Sequence, residues 1–179
     1  MTRVSKVFQI RVGFGNSEEE VKRHAGRIDM TGLAAHNRDM NQEHFDLLWG
    51  TAEDLAAWHR NHSPEQLDLR GANLSGRDLR GRNFTRALLD GADLSGANLD
   101  EAVFSEAKLR RANLAGASMK KSTLHRANCS GADLTDVDLR GATLYRCILR
   151  DATITGANFK AASLLKVAWP EGVDVPARG

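Results

Sequence analysis

Aromatic residues, cysteines and long apolar runs are all scarce in this chain. Phe, Trp and Tyr make up 6% of its 179 residues, and there are two cysteines. Two cysteines cannot build a disulfide framework, so packing has to stabilise the fold. The sequence has no apolar run of about eighteen residues, the length a membrane span needs, and the start MTRVSKVFQIRVGFG lacks the apolar core of a signal peptide. These absences predict a soluble cytoplasmic protein that does not act in a membrane.

Excess charge of one sign is also missing, although the charge is uneven along the chain. The formal net charge is +2. Residues 1–65 carry eight Lys and Arg against ten Asp and Glu, whereas residues 66–169 carry sixteen against eleven, a net of +5. Total charge alone therefore does not indicate binding to nucleic acid or to a membrane surface.

What the sequence does contain is a five-residue repeat. Every fifth residue from Leu69 to Leu164 is apolar, at all twenty positions, and the residue two places earlier is Ala at fourteen of the twenty. No helix or simple hairpin sheet has a period of five, so the pattern indicates a repeat architecture. A square coil fits it, with four five-residue faces per turn and coils stacked like parallel strands. Both regular columns then point into the coil.

Twenty pentads at four per coil predict about five coils, a rod of roughly 24 Å at the spacing of parallel strands. Parallel crossovers favour a right-handed winding. The sequence therefore predicts an all-β solenoid, a right-handed quadrilateral β-helix, over residues 66–169. An N-terminal segment, residues 1–65, precedes it, and a C-terminal tail, residues 170–179, follows it.

The N-terminal segment has a different pattern. Residues 7–12 read as a short strand, and Ser17 with Glu20 has the spacing of a helix capping box. A second helical region is predicted at about residues 42–62, interrupted near Gly50. An open coil end would expose unpaired backbone groups and apolar core, so we expect the Phe45–Trp58 stretch to cap the solenoid.

Several residues depart from the repeat pattern. Arg77 and Arg82 occupy the small inward column, where an unpaired guanidinium cannot be buried. Either the first coil is open there, or these arginines pair with acids of the N-terminal segment. Cys129 and Cys147 fall in the inward columns and are expected to be reduced packing residues, although a bridge between neighbouring coils is left open.

The C-terminal end needs closure as well, and we expect Leu165 and Trp169 to close the last coil. An incomplete closure would let two rods stack end to end, so both a monomer and an end-to-end dimer are compatible with the sequence.

The segments GANLSGRDL, DGADLSGANLDEAVF, RANLAGASM and GADLTDVDLRGATL resemble the pentapeptide-repeat family, whose pattern is roughly Ala-(Asp/Asn)-Leu-x-x. The resemblance implies the same right-handed quadrilateral β-helix. It also implies an alternative function, because some members mimic DNA, bind type II topoisomerases such as gyrase, and protect them against quinolones. Mimicry requires an acidic rod, and those members favour Phe in the central column. Here the repeat is net +5, and that column holds fourteen Leu and three Phe.

Stacking places residues twenty apart above one another, which predicts two basic columns. The first column and its flanking rings are Arg86, Arg126, Arg146 and Lys166, with His125 and Tyr145. The second comprises Arg80, Lys120, Arg140 and Lys160, with Lys121 beside them. We predict that the two basic faces meet at an edge that binds an acidic surface or phosphates. The alternative is a solvated charged surface without a partner.

Neither a catalytic nor a metal site emerges from the sequence. The histidines have no cysteine partners or recognised ligand spacing, and no motif marks an activated nucleophile. We therefore expect no enzyme, metal or cofactor; an enzyme would need a pocket beside Arg77 and Arg82. The leading interpretation is a scaffold that presents flat faces to a macromolecular partner, most simply a protein. Nucleic acid is second, because Tyr145 alone is available for stacking on bases.

Overall fold

The computed structural model describes residue 44 and residues 47–50, 52–62 and 65–173. The predicted strand at residues 7–12 and the predicted helix beginning near Ser17 lie outside this range. Within it, no helix has the length and apolarity required to cross a membrane.

The repeat region is a stack of parallel bridges in which each bridge joins residues twenty apart. Four columns of bridges alternate along the chain, and we call them faces 1 to 4. Their bridges begin with Asp68↔Leu88, Asn73↔Asp93, Asp78↔Asn98 and Asn83↔Val103, and the first column continues to Ile148↔Ala168. Five residues separate one face from the next, so twenty residues complete one four-sided turn. The pairing has the period that the sequence predicts.

Both inward columns of the repeat form the core. The central column is fully buried through most of the stack, and Phe84 and Phe104 pack with their ring centroids 5.0 Å apart. Most of the small column is buried as well, including Ser122, whose hydroxyl donates to the Met119 carbonyl at 2.7 Å. Cys129 and Cys147 lie in this core as free thiols. A hydrogen bond with Cys147 and burial both raise the pKa of the Cys129 thiol.

A tight turn follows each face and forms a corner of the coil. Corner 1 begins at residues 70–71, corner 2 at 75–76, corner 3 at 80–81 and corner 4 at 85–86, and each recurs every twenty residues. The second corner residue has a positive φ throughout, as at Gly76 (64°) and Arg146 (58°), which is the geometry of a type II turn. At Gly156 an added Cβ would also meet the Asp136 carboxylate, which would have to move aside.

The chain before the repeat is helical on both sides of Gly50, as the sequence predicts. A 3-10 turn spans Leu47–Trp49, and helix α1 spans Ala52–Asn61. Leu48, Leu55 and Trp58 are buried. This apolar side is typical of a helix that packs on a neighbouring surface.

Polar contacts tie the helical part to the start of the repeat. His59 Nε2 lies 2.8 Å from the Asn83 carbonyl, and His44 Nδ1 accepts a hydrogen bond from the Asp68 amide at 2.9 Å. The Arg82 guanidinium donates to the Gly50 carbonyl. Arg82 therefore contacts the N-terminal segment through a backbone carbonyl, whereas the sequence suggested its acids as partners. Arg77 is half-buried, and this burial lowers its pKa.

At the C-terminal end the structure corrects one expectation. Leu165 does not close the last coil: it is 50% exposed, because it occupies the first residue of corner 4 and points outward. Trp169 is half-buried and packs edge-on against Phe159, with ring centroids 5.4 Å apart.

Candidate functional site

The groups that accept hydrogen bonds from the backbone N–H groups determine which side chains the outer surface of the coil carries. In each pentad of the stacked region, the backbone itself satisfies four of the five N–H groups. At face 2, Asp93 donates to Ala72, Leu94 to Asn113, Gly96 to Ala115, and Ala97 to Leu94 across the turn. The N–H left over belongs to the first corner residue, here Ser95.

An Asp or Asn side chain on the preceding face accepts that remaining N–H. Asp93 Oδ1 accepts from the Ser95 amide at 3.0 Å, and Asp133 Oδ1 accepts from the Thr135 amide at 2.9 Å. The hydrogen bonds from Thr135 lower the pKa of Asp133. This local bond explains why the repeat favours Asp or Asn immediately before the central apolar residue.

Where the preceding residue cannot accept, a carboxylate from the neighbouring coil can replace it. Lys108 precedes Leu109, and the Arg110 amide donates instead to Asp90 Oδ1 at 2.9 Å. Ser118 precedes Met119, and the Lys120 amide donates to Asp100 Oδ1 at 3.0 Å. The need for an acceptor therefore also places acids on the corners.

Corner 4 differs from the other corners in this respect. Asn83 caps the Thr85 amide at 3.0 Å, but the next four residues of that column are Val103, Thr123, Thr143 and Ser163. The structure gives the backbone N–H groups of Ser105, His125, Tyr145 and Leu165 no acceptor among the described residues. Among the described residues, no two such N–H groups are consecutive at corners 1 and 2, and corner 3 has none. Corner 4 thus presents a continuous row of backbone donors, which the charge pattern alone does not reveal.

The predicted basic residues fall on two corners, and these corners do not meet at one edge. Arg86, Arg126, Arg146 and Lys166 are at corner 4, with His125 and Tyr145, whereas Arg80, Lys120, Lys121, Arg140 and Lys160 are at corner 3. Face 4 separates the two corners, because each is a turn at one end of that five-residue face. Its outward residues from Val103 to Ser163 are uncharged.

Corner 3 is largely neutralised by its own acids. Asp78 binds Arg80 and Asp138 binds Arg140, with Oδ2–Nη2 distances of 2.6 Å and 2.7 Å. The ammonium of Lys120 lies 3.6 Å from Asp100 and 3.8 Å from Asp138. Lys121 lies 3.9 Å from Glu101. Little positive charge is left on this corner for a partner.

Corner 4 keeps more of its charge. Four cations face one acid, Glu106, whose carboxylate lies 3.8 Å from Arg126. Arg86, Arg146 and Lys166 have no ion pair within the described part of the chain. The rings of His125 and Tyr145 stack at 5.3 Å, and the Arg146 guanidinium lies 5.3 Å from the centre of the Tyr145 ring. Corner 4 is therefore both cationic and rich in free donors.

The diagonally opposite side of the coil has the reverse character. Face 2 and corner 2 carry Asp93, Asp133 and Asp136, and their other residues are Asn, Ser, Thr, Ala and Gly. Acceptor side chains there satisfy the corner amides as far as Thr135. The repeat thus has an acidic, acceptor-rich side opposite a basic, donor-rich corner.

An open depression of about 530 Å³ lies at corner 3, beside Arg82. Its lining side chains are those of Asp78, Arg80, Arg82, Asp100 and Glu101. These are carboxylates and guanidiniums, and Asp78 and Arg80 already bind each other. The lining contains no serine, cysteine or histidine to act as a nucleophile or a neutral base.

Asp78 gives a direct test of its ion pair with Arg80. Its hydrogen bonds from Arg80 lower its pKa to about 2, from a usual value of 3.8. Because the folded-state pKa is depressed, its contribution to stability is present above pH 3.8 and is lost as the pH falls towards 2. The effect is small, since both side chains are exposed.

We expect Asp78→Asn to keep the Oδ1 cap on Arg80 while removing this pH dependence. Urea unfolding at several pH values between 6 and 2 measures it: the wild type should lose more stability on acidification than the variant. Parallel stability curves for the two proteins would contradict the prediction.

Comparison with known proteins places the repeat in a family. The family described as pentapeptide repeats matches at residues 68–105, 88–126, 102–141 and 127–164. A pentapeptide repeat protein from the Arabidopsis thaliana thylakoid lumen is 30% identical, over 62% of this chain and 71% of that one, with a TM-score of 0.42. The pentapeptide repeat protein Rfr23 from the cyanobacterium Cyanothece 51142 is 24% identical, over 68% and 97%, with a TM-score of 0.49.

The plasmid-mediated fluoroquinolone resistance protein QnrB1 is more distant. It is 21% identical, over 56% of this chain and 57% of that one, with a TM-score of 0.26. No curated protein matches the chain in sequence. The family match spans more than half of the chain and carries the conclusion: the chain belongs to the pentapeptide repeat family, whose fold is a right-handed quadrilateral β-helix.

Proposed function

We propose that this protein is a non-enzymatic scaffold that binds an acidic macromolecular partner, most simply a protein, along corner 4. One observation carries the proposal: corner 4 combines unpaired cations with consecutive uncapped backbone N–H groups, whereas corner 3 neutralises its own charge. In water a free N–H group is solvated, but under a partner it needs an acceptor. A partner rich in carboxylates would satisfy both the donors and the cations.

The proposal also covers the number of coils and the cap on the first coil. We infer that the repeat winds into about five coils and that the Leu47–Trp49 turn and α1 cover its first coil. The contacts of His44, His59 and Arg82 with both parts support this cap. The cytoplasmic location remains a prediction from the sequence.

Mimicry of DNA is not favoured by the surface. A mimic needs negative charge along the rod. Here the side on which acids occur without bases is confined to face 2 and corner 2. The repeat as a whole is net +5.

Reversing charge at corner 4 should weaken partner capture by about tenfold, since like charges facing each other at an interface cost binding free energy. The test variant is Arg126→Glu with Arg146→Glu, and the matched control is Arg111→Glu with Arg150→Glu at corner 1. Each pair changes the net charge equally and places Glu at exposed corner positions. The measurement is affinity capture from the host's lysate at two salt concentrations, with quantitative mass spectrometry of the captured proteins and gel staining of the captured nucleic acid.

The informative result is an acidic protein that the corner 4 variant loses and the control retains. Equal capture by the two variants would show that net charge, and not this corner, determines binding. Capture dominated by nucleic acid would instead support the phosphate-binding alternative, which predicts a steep loss with salt.

A further inference from the structure

The spacing of corner 4 defines the partner more closely, on the assumption that the proposed function is correct. Three successive coils each place one free N–H beside one cation: His125 with Arg126, Tyr145 with Arg146, and Leu165 with Lys166. Each pair is a donor and a positive charge directed at the same outer surface, a suitable environment for one carboxylate. Neighbouring parallel strands are about 4.8 Å apart, so the three pairs form a row about 10 Å long.

The distance between successive pairs in this row can be compared with the distances between carboxylates on an α-helix and on an extended strand. An α-helix places one residue of a given stripe every turn, about 5.4 Å, so three acids one turn apart span about 11 Å. An extended strand presents alternate residues about 6.6 Å apart, so three acids span about 13 Å. The span of three acids exceeds the length of the row by about 1 Å on a helix and by about 3–4 Å on a strand. The helix therefore fits the spacing of the row better than the strand does.

An apolar contact lies beside the same row. Leu165 is 50% exposed, and among the described residues it is the large hydrophobic residue that lies open to solvent. The stacked rings of His125 and Tyr145 precede it along the same corner. A binding helix would therefore carry apolar residues next to its acidic stripe, where they could cover Leu165 and the Tyr145 ring.

We propose that corner 4 binds an acidic amphipathic α-helix of a partner protein, lying parallel to the axis of the coil stack. Its acidic residues recur once per turn, as at i, i+4 and i+7, and each carboxylate accepts one corner N–H and pairs with the adjacent cation. Its apolar residues lie against Leu165 and Tyr145.

Two synthetic helices of identical composition test this proposal against the full chain. Both are held helical by a side-chain staple and labelled for fluorescence anisotropy. In the aligned peptide, three Glu at i, i+4 and i+7 lie beside two Leu; in the scattered peptide, the same residues are distributed around the helix. We expect the aligned peptide to bind at least about tenfold more tightly at low salt, which corresponds to about 1.4 kcal/mol.

Two protein variants localise the effect. Leu165→Ser should weaken binding of the aligned peptide several-fold and leave binding of the scattered peptide unchanged. Arg150→Glu, at corner 1, should change neither.

Other outcomes separate this inference from the proposed function. If both peptides bind equally and Arg146→Glu abolishes that binding, the helix proposal is overturned. The proposed function, binding of an acidic partner at corner 4, is then retained. Binding of neither peptide, together with tight binding of a single-stranded oligonucleotide, would overturn both. Failure of all three probes would also overturn the helix proposal.

Discussion

Replacing Phe104 with alanine should lower the free energy of unfolding by about 3–5 kcal/mol. Phe104 is fully buried, and its ring stacks on that of Phe84 in the neighbouring coil at a centroid distance of 5.0 Å and an interplanar angle of 14°. In a stacked repeat each coil packs only on its neighbours, so no distant residue can move in to fill the cavity. Urea unfolding followed by circular dichroism measures the change.

The adjacent Val103→Ala substitution is the control. Val103 is half-buried on the outer surface of face 4, and its truncation should cost less than about 1 kcal/mol. Similar losses at the two positions would mean that Phe104 does not lie inside the coil.

Enlarging a residue of the small inward column should be almost as damaging. Ala117 is 1% exposed and lies between the buried side chains of Leu114 and Met119 along the chain. A leucine there adds three carbon atoms to a close-packed interior, and we expect a loss of about 3 kcal/mol, near the upper end for overpacking. The midpoint of thermal unfolding should fall accordingly.

The comparison for this variant is Ala115→Leu at corner 2. Ala115 is half-buried in a turn, and its amide is already capped by Asn113 at 3.1 Å. We expect a change within about 0.5 kcal/mol there. If Ala117→Leu were tolerated equally well, the small column would not face the interior.

The architecture was predictable because a single rule, repeated twenty times, specifies it. Leu74, Leu94, Leu114 and Leu134 recur at intervals of twenty, and all are buried, so periodicity alone identifies the core. The break at Gly50 also follows from local chemistry. Leu165 was placed wrongly because hydrophobicity suggested burial, whereas its position in the pentad directs it outward.

The candidate site was less predictable, since it depends on which polar partners meet. The sequence identified Arg86, Arg126 and Arg146 as a stack, but the neutralisation of Arg80 by Asp78 depends on side-chain geometry. The row of free N–H groups was missed entirely. Its signal was nevertheless present, because Val103, Thr123, Thr143 and Ser163 stand where the repeat otherwise favours Asp or Asn.

The twenty-residue register has a consequence for how such a protein can change in length. Losing or gaining one pentad keeps both inward columns in place, because the core repeats every five residues. The same change rotates every later side chain by a quarter turn, and a deletion before Arg126 would move it from corner 4 to corner 3. Folding therefore tolerates length changes in steps of five, whereas an aligned binding edge survives only steps of twenty. Natural relatives that differ by whole coils, and not by single pentads, would indicate that selection preserves the edge as well as the fold.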